Sequence, residues 1–302
     1  MKHLLSISDL EPASIWRIFN LTDRIIEVPD YKPFSDKTAI LLFKKPSLRT
    51  RLSFEIAIKS LGGESVFITD NEVGLGTREE IKDIARVLSG YGDCIIPRVF
   101  SHSELLTLSK YANVPVINAL SDDEHPCQVL SDLWTIWKHK EKIVGLNLSF
   151  IGDCCNNVAS SWLLLASMMG INITLCFPKG YGPKRDILKR AKEYCALSGA
   201  TIKTITDPKK AVLDAEVIYT DTWTSMGQEK EKEKRLKDFS GFTINKSLLS
   251  SAKENCSIMH CMPIHRGEEI EDEIAEGKNS IIFAQARNKL VVSKGILVFL
   301  LA

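Results

Sequence analysis

Four cations crowd one short stretch of the chain. Residues 44–53 read KKPSLRTRLS and run into FEIAIKSLGG, whose Phe54, Ile58 and Leu61 share a helical face before Gly62-Gly63. Ser47 is the expected N-cap, with Leu48, Arg49 and Thr50 in the first turn. A helix start is already partly positive and favours acidic neighbours, so Lys44, Lys45, Arg49 and Arg51 point to an anion. First-turn N–H groups, a hydroxyl and guanidinium groups suit phosphate. The glycines of a P-loop are missing, which argues against a nucleoside triphosphate. The competing reading is a capped surface helix with solvated cations. Lys44, Lys45 and Arg51 need not touch a ligand even in the first reading; they can supply a surrounding field or structural partners.

Five further clusters carry chemistry of their own. Arg98 closes the apolar run DCIIPRVF, and a buried arginine needs an anionic ligand or a carboxylate partner. EHPCQ sets His125 and Gln128 at a helix start, where imidazole and carboxamide N–H groups can donate to a carbonyl oxygen that gains charge. A satisfied turn histidine is the alternative there. IGDCCNNVASS lacks GxGxxG, with Cys155 and Val158 where glycines would admit a pyrophosphate. A dinucleotide-dependent dehydrogenase is therefore disfavoured. Asn156-Asn157 instead offer amides to a zwitterionic or carboxylate ligand. YTDTWTSMGQE joins Asp221, suited to an ammonium group, to the small-residue loop Ser225-Met226-Gly227. Such a loop can act as a lid, or simply precede a capped helix. MHCMPIHRGEE puts His260 and Cys261 before Pro263. A thiolate beside histidine in an electropositive cleft would have a lowered pKa, whereas a buried thiol would be inert.

The elements that must position these groups alternate. Strand patterns cover Thr38–Phe43, Ser65–Thr69, Cys94–Arg98, Val114–Asn118, Leu146–Ile151, Asn172–Phe177, Thr201–Thr204, Val217–Thr220, Ser257–His260 and Ser280–Phe283. Helical patterns fall between them, at Glu79–Leu88, Glu104–Tyr111, Gln128–His139 and Asn157–Met169. This rhythm predicts an α/β fold of two doubly wound domains, each with a mainly parallel sheet flanked by helices. The boundary is expected near Glu141–Gly145. Ligands of open parallel sheets sit at the carboxyl ends of strands, where the distinctive residues fall, and one cleft would collect them.

Composition narrows the class further. The 302 residues suit about two domains, and a net charge of +1 argues against a general nucleic-acid or membrane-surface binder. MKHLLSISDLEP has no secretory pattern, and GILVFLLA is too short to span a bilayer and reads as a buried terminal helix. The eight cysteines (94, 127, 154, 155, 176, 195, 256 and 261) form no CxxC pair. Their spacing disfavours zinc or a disulfide framework and suits buried, reduced thiols in the cytoplasm. Glu229–Asp238 is a dense charge run, expected to be a solvated helix face.

Taken in order, SLRTR, RVFSH, HPCQ, NNVA, DTWTSMGQE and HCMP resemble the aspartate/ornithine carbamoyltransferase family over the whole chain, with SMG and HCMP nearest its ornithine-using branch. The resemblance implies a carbamoyl-phosphate-binding domain at 1–141, an ornithine-binding domain at 142–286, and a last helix of about 287–302 packing back on the first domain. It implies a homotrimer, or a multiple of trimers, with sites near subunit interfaces, and no metal or organic cofactor. By motif position, Ser47, Leu48, Arg49 and Thr50 would hold phosphate, and Arg98 would bridge phosphate and carbamoyl oxygen. His125 and Gln128 would hold the carbamoyl group, and Asn157, Asp221, Ser225 and Met226 would bind L-ornithine. Cys261 and Met262 would lie between the two substrates, and Lys289 would supply a further charge to carbamoyl phosphate. Arg98, His125 and Cys261 are the expected catalytic residues. The implied reaction is attack of the neutral δ-amine on the carbonyl carbon, releasing phosphate and citrulline, with Cys261 or the departing phosphate taking the proton.

Three positions depart from the family pattern. Leu48 stands where threonine is usual, a place that can act through its backbone. Gly74 in NEVGLGTREE stands where glutamine is common, and Arg287-Asn288-Lys289 replaces Glu-Asn-Arg. Lysine keeps the charge but loses the planar fork. Gly74 and Lys289 motivate one alternative, a catalytically weak paralogue that binds ligands or assembles with an active partner; a second, within the same class, is a carbamoyltransferase for another amine such as putrescine.

Overall fold

The computed structural model describes residues 3–225 and 227–302. Contacts divide the chain into two units, Met1–Trp134 with Arg287–Ala302, and Thr135–Ala286.

In the first unit, β1 (Thr38–Phe43), β2 (Glu64–Thr69) and β3 (Cys94–Arg98) form a parallel sheet in the order β2-β1-β3. β1 is buried from Ala39 to Phe43, as a central strand of a parallel sheet covered on both faces must be. The helices are α1 (Pro12–Glu27), α2 (Leu48–Ser60), α3 (Asp70–Val73), α4 (Ile81–Tyr91), α5 (His102–Tyr111) and α6 (Pro126–Lys140), the last of which belongs to the second unit from Thr135 onward. Ile40, Leu42 and Ile95 of the sheet pack against Ile84, Leu88, Leu105 and Leu108.

Val114–Asn118 does not form the predicted strand. It lies extended beside β3 through isolated bridges Ile95↔Val116 and Arg98↔Leu120, and Ile117 bridges to Leu4 on its other side. Pro97 is the reason. Ile95 donates to Pro115 O and accepts from Ile117 N, and Pro97 O accepts from Ala119 N, but proline cannot donate the intervening rung.

The second unit holds β4 (Asn147–Ile151), β5 (Asn172–Cys176), β6 (Ile202–Ile205), β7 (Val217–Thr220) and β8 (Ser257–His260). All pair in parallel, in the order β6-β5-β4-β7-β8. Its helices are α7 (Asn157–Met168), α8 (Arg185–Ser198), α9 (Pro208–Val212), α10 (Lys232–Asp238), α11 (Lys246–Leu249) and α12 (Asp272–Ala275). The last helix, α13 (Ile282–Leu301), starts in this unit and belongs to the first from Arg287 onward. Ile151, Ile218 and Ile258 of the sheet share one core with Trp223, Phe239 and Phe242.

Two predictions fail here. Ser280–Phe283 is not a strand: Ser280 makes one bridge to Ile258, and α13 starts at Ile282. Buried Ile282, Gln285, Lys289, Val292 and Ile296 recur at three- and four-residue spacing, and that long helical period outweighs a four-residue apolar run. The Glu229–Asp238 charge run is not wholly solvated either. It forms a 3₁₀ turn, Glu229–Glu231, and then α10, with Arg235 buried.

Both sheets have a topological switch point, where strand order reverses and ligands of open α/β sheets bind. It lies between β1 and β3 in the first unit and between β4 and β7 in the second. Among the described residues, no helix is long and apolar enough to cross a membrane.

Candidate active site

The first switch point carries the opening cations. Ser47 is the N-cap of α2, its Oγ accepting from Thr50 N at 3.3 Å, and a helix leaves its first N–H groups without intrahelical partners. Lys44, Lys45 and Arg51 have structural partners. Lys44 donates to Glu104 at 2.7 Å and to Leu75 O at 3.1 Å. Lys45 lies 4.3 Å from the centre of the Phe100 ring. Arg51 pairs with Glu55 at 3.0 Å and lies over Phe67 at 3.5 Å. Arg49 sits half-buried in the first turn. Leu48 turns its side chain outward, 69% exposed, so only its backbone faces the helix start's chemistry.

Lys289 draws three expected site residues together. The residue is 3% exposed, and its ammonium donates to Gln128 Oε1 at 2.7 Å and Thr50 Oγ1 at 2.9 Å and lies 3.4 Å from His125 Nε2. Gln128 Nε2 in turn donates to Asp132 Oδ1 at 2.8 Å, which orients the carboxamide. Arg287 is exposed, so Lys289 alone of these two cations joins the ring. Burial, then the charges of Lys289 and Arg98, hold His125 well below the ordinary histidine pKa. It is a neutral imidazole, and the cation at Nε2 assigns its proton to Nδ1. Arg98, also buried, ends β3. Pro126 opens α6 at the first helical position, where its missing N–H costs nothing. Glu124 accepts from Ser6 Oγ and from Ile7 N, tying the loop before His125 to the N-terminal segment.

Gly74 has a local reason to be glycine. It caps α3 in the left-handed region at φ 65°, and an added Cβ would lie 2.6 Å from Arg78 Cβ.

At the second switch point, Asp221 follows β7. Its Oδ1 accepts from Thr222 N at 2.7 Å and from Cys261 Sγ at 3.0 Å, and its Oδ2 from Asn156 Nδ2 at 3.0 Å. Asn156 Oδ1 accepts from Ala159 N at 2.7 Å, capping α7, and this fixes which way its amide points. Burial pushes the Asp221 carboxyl up. Asn157 opens α7, and Ser225 closes a tight turn with Gln228. Met226 lies outside the described residues.

The histidine before Cys261 has two hydrogen-bond partners of its own. His260 Nδ1 accepts from Met262 N at 2.8 Å, and its Nε2–H faces Glu269 at 3.0 Å, both side chains fully buried. The half-buried Cys261 thiol meets Asp221, and the acid, the thiol and a His260 ring nitrogen lie within 4.8 Å of one another. Motif reading passed over Asn156's bond to Asp221, Asp132 behind Gln128, and Asp153 with Arg235. A buried acid within IGDC and a lone arginine in a lysine-rich run were the available signals.

Each unit thus gathers its own polar group: a cationic one with a helix start, and one of amides around a buried carboxylate. A model of the carbamoyl-P binding domain of aspartate/ornithine carbamoyltransferases matches residues 2–138, and a model of their Asp/Orn binding domain matches residues 144–300. The chain belongs to the aspartate/ornithine carbamoyltransferase family. The ornithine carbamoyltransferase of Archaeoglobus fulgidus is 45% identical over 307 residues, covering 100% of this chain and 98% of the relative. The solved ornithine carbamoyltransferase of Pyrococcus furiosus superposes with a TM-score of 0.95 at 42% identity, over 99% of this chain and 97% of that one. The anabolic ornithine carbamoyltransferase of Campylobacter jejuni gives 0.94 at 40% identity, over 99% of each chain.

Proposed function

We propose that this protein transfers the carbamoyl group of carbamoyl phosphate to the δ-amine of L-ornithine, giving L-citrulline and phosphate in arginine biosynthesis. The observation that carries the reading is the buried ring of Lys289, Thr50, His125 and Gln128. It lies in a chain similar along its whole length to proteins named ornithine carbamoyltransferase. Residues 1–141 with about 287–302 serve carbamoyl phosphate in this reading, and 142–286 serve ornithine.

The phosphate is held by Ser47, the N–H of Leu48, Arg49 and Thr50, with Lys289 adding charge. Arg98 spans phosphate and carbamoyl oxygen. The His125 imidazole, kept neutral by burial and two neighbouring cations, donates its N–H to the same oxygen, and Gln128 holds the carbamoyl amide. Asn157, Ser225 and Met226 take the amino-acid head group, and Asp221 orients the side-chain amine. As the neutral amine attacks, the carbonyl oxygen gains charge opposite Arg98 and His125, which is where preorganised donors lower the barrier. The C–O bond to phosphate then breaks, and the amine's proton passes to the departing phosphate or to Cys261. Cys261 and Met262 lie between the substrates, and Asp221 with Cys261 governs the amine's protonation and position.

A homotrimer belongs to the same reading. Leu48, Leu52 and Ile56 recur every four residues on α2, and Val66 lies on the edge strand β2, all 43–69% exposed. An apolar stripe beside an open sheet edge favours association. A cytoplasmic location is supported by five cysteines packed as buried thiols.

Purified protein given carbamoyl phosphate and ornithine is expected to form citrulline and to sediment as a trimer or its multiple. Preference for putrescine would move the acceptor. Binding of a bisubstrate analogue without turnover would sink the enzymatic reading in favour of a weak paralogue.

A further inference from the structure

The charge run after the Ser225 loop hides one arginine that takes no part in the roles above. Arg235 is buried against Asp153, with Nη1 donating to Asp153 Oδ2 at 2.6 Å and to Trp223 O at 2.8 Å. Its Nε donates to Glu231 at 2.9 Å, and its guanidinium lies 5.1 Å from the centre of the Tyr181 ring. Tyr181 in turn donates to Asp238 at 2.7 Å, closing the cluster on α10. The other carboxylate oxygen of Asp153, Oδ1, accepts from Cys155 N at 2.9 Å and shapes the turn that leads to Asn156 and Asn157.

This ion pair therefore touches the backbone on both sides of the amino-acid subsite. Trp223 stands two residues from Asp221 and two from Ser225, and Asp153 stands four before Asn157. Trp223 is also stacked on Phe239 at 5.3 Å, which anchors the carbonyl that Arg235 grips. A buried ion pair is weak evidence for stability, because an apolar pair of similar volume commonly does as well. What an apolar pair cannot do is hold one carbonyl and one carboxylate at set positions with a planar fork.

We infer that Arg235 and Asp153 are a positioning pair for the amino-acid substrate, holding the Asp221–Ser225 segment and the Cys155-Asn156-Asn157 turn in mutual register. The inference rests on the ornithine reading given above. Neither residue contacts substrate; each acts through the backbone it fixes. Lysine at 235 can meet Asp153 but cannot also serve Trp223 O and Glu231 from a fork.

The test uses Arg235→Met, Arg235→Lys and Asp153→Asn in the full chain, with each substrate varied separately. Arg235→Met is expected to raise KM for ornithine tenfold or more, with KM for carbamoyl phosphate within twofold. Arg235→Lys is expected to fall between wild type and Arg235→Met. An ornithine KM within twofold of wild type in folded Arg235→Met would overturn the inference. So would a loss confined to kcat that tracks the folded fraction. If Arg235→Met does not fold, Arg235→Lys and Asp153→Asn carry the same criterion. Amide hydrogen exchange supplies an arm that needs no turnover. Faster exchange confined to residues 153–158 and 221–225 in the variants supports the pair, and a uniform rise across the second unit overturns it. A wild-type protein that forms no citrulline would defeat the proposed function, while the exchange arm would still decide the register role.

Discussion

Replacing Lys289 with methionine keeps much of the side chain's volume and removes its charge. Two acceptors lose a close donor, Gln128 Oε1 at 2.7 Å and Thr50 Oγ1 at 2.9 Å, at about 1–3 kcal/mol each. The same change removes the penalty of several kcal/mol for keeping an ammonium out of water. These largely cancel, so folding stability is expected to move by about 2 kcal/mol or less. Substrate binding has no such cancellation. A unit charge about 5 Å from an anion, at an effective dielectric near 20, contributes roughly 3 kcal/mol. The value of kcat/KM for carbamoyl phosphate should therefore fall on the order of a hundredfold. The pH dependence gives a second sign. His125 is depressed below 6.5 by burial first, then by Lys289 and Arg98. With Lys289 gone its pKa rises, while burial still holds it below the ordinary value. Protonation then competes at higher pH, and the acid limb of kcat/KM moves upward. Urea unfolding, steady-state kinetics across the acid limb, and an NMR titration of the His125 imidazole read out each part. A stability loss large enough to explain the rate, or an acid limb and imidazole titration that do not move, would refute the reasoning.

Arg98→Ala should lower kcat by roughly 100-fold, the range seen for a lost donor to a developing oxyanion, with urea unfolding showing a folded protein; unchanged turnover would remove Arg98 from that role. Asp221→Asn should raise KM for ornithine selectively, because an amide cannot accept all three bonds from Thr222, Asn156 and Cys261. An equal rise for both substrates would point to folding. Gly74→Gln, which brings in the side chain common at this place in the family, should destabilise the chain by about 1–2 kcal/mol rather than improve carbamoyl phosphate binding. Its φ of 65° is unfavourable for a side chain and its Cβ would crowd Arg78. A lower KM without lost stability would contradict this.

Much of the fold was legible because its signals are local. β1, β3, β7 and β8 fall where apolar runs between turn residues put them, and Ser47 caps α2 as its side chain and the following apolar face require. The failures have the opposite origin. Pro97 sits inside a true strand but spoils the ladder of its neighbour, a pairing visible only once the two segments lie side by side. At Ser280–Phe283 a short strand-like pattern overlapped the first turn of a helix 20 residues long, and the longer period prevailed.

In the proposed reading, the residue types and their order name the chemistry: a phosphate at Ser47–Thr50, an oxyanion near Arg98 and His125, an amine near Asp221. Tertiary structure decided what each group has left to offer. Lys44, Lys45 and Arg51 look available to a ligand along the chain, yet Glu104, Phe100 and Glu55 engage them. Lys289 is 239 residues from Thr50 and reaches it in space. Arg235, one cation among many in a charged run, is buried on Asp153. Hydrogen bonding and desolvation depend on distances of a few ångströms between segments far apart in sequence, and folding alone sets those distances.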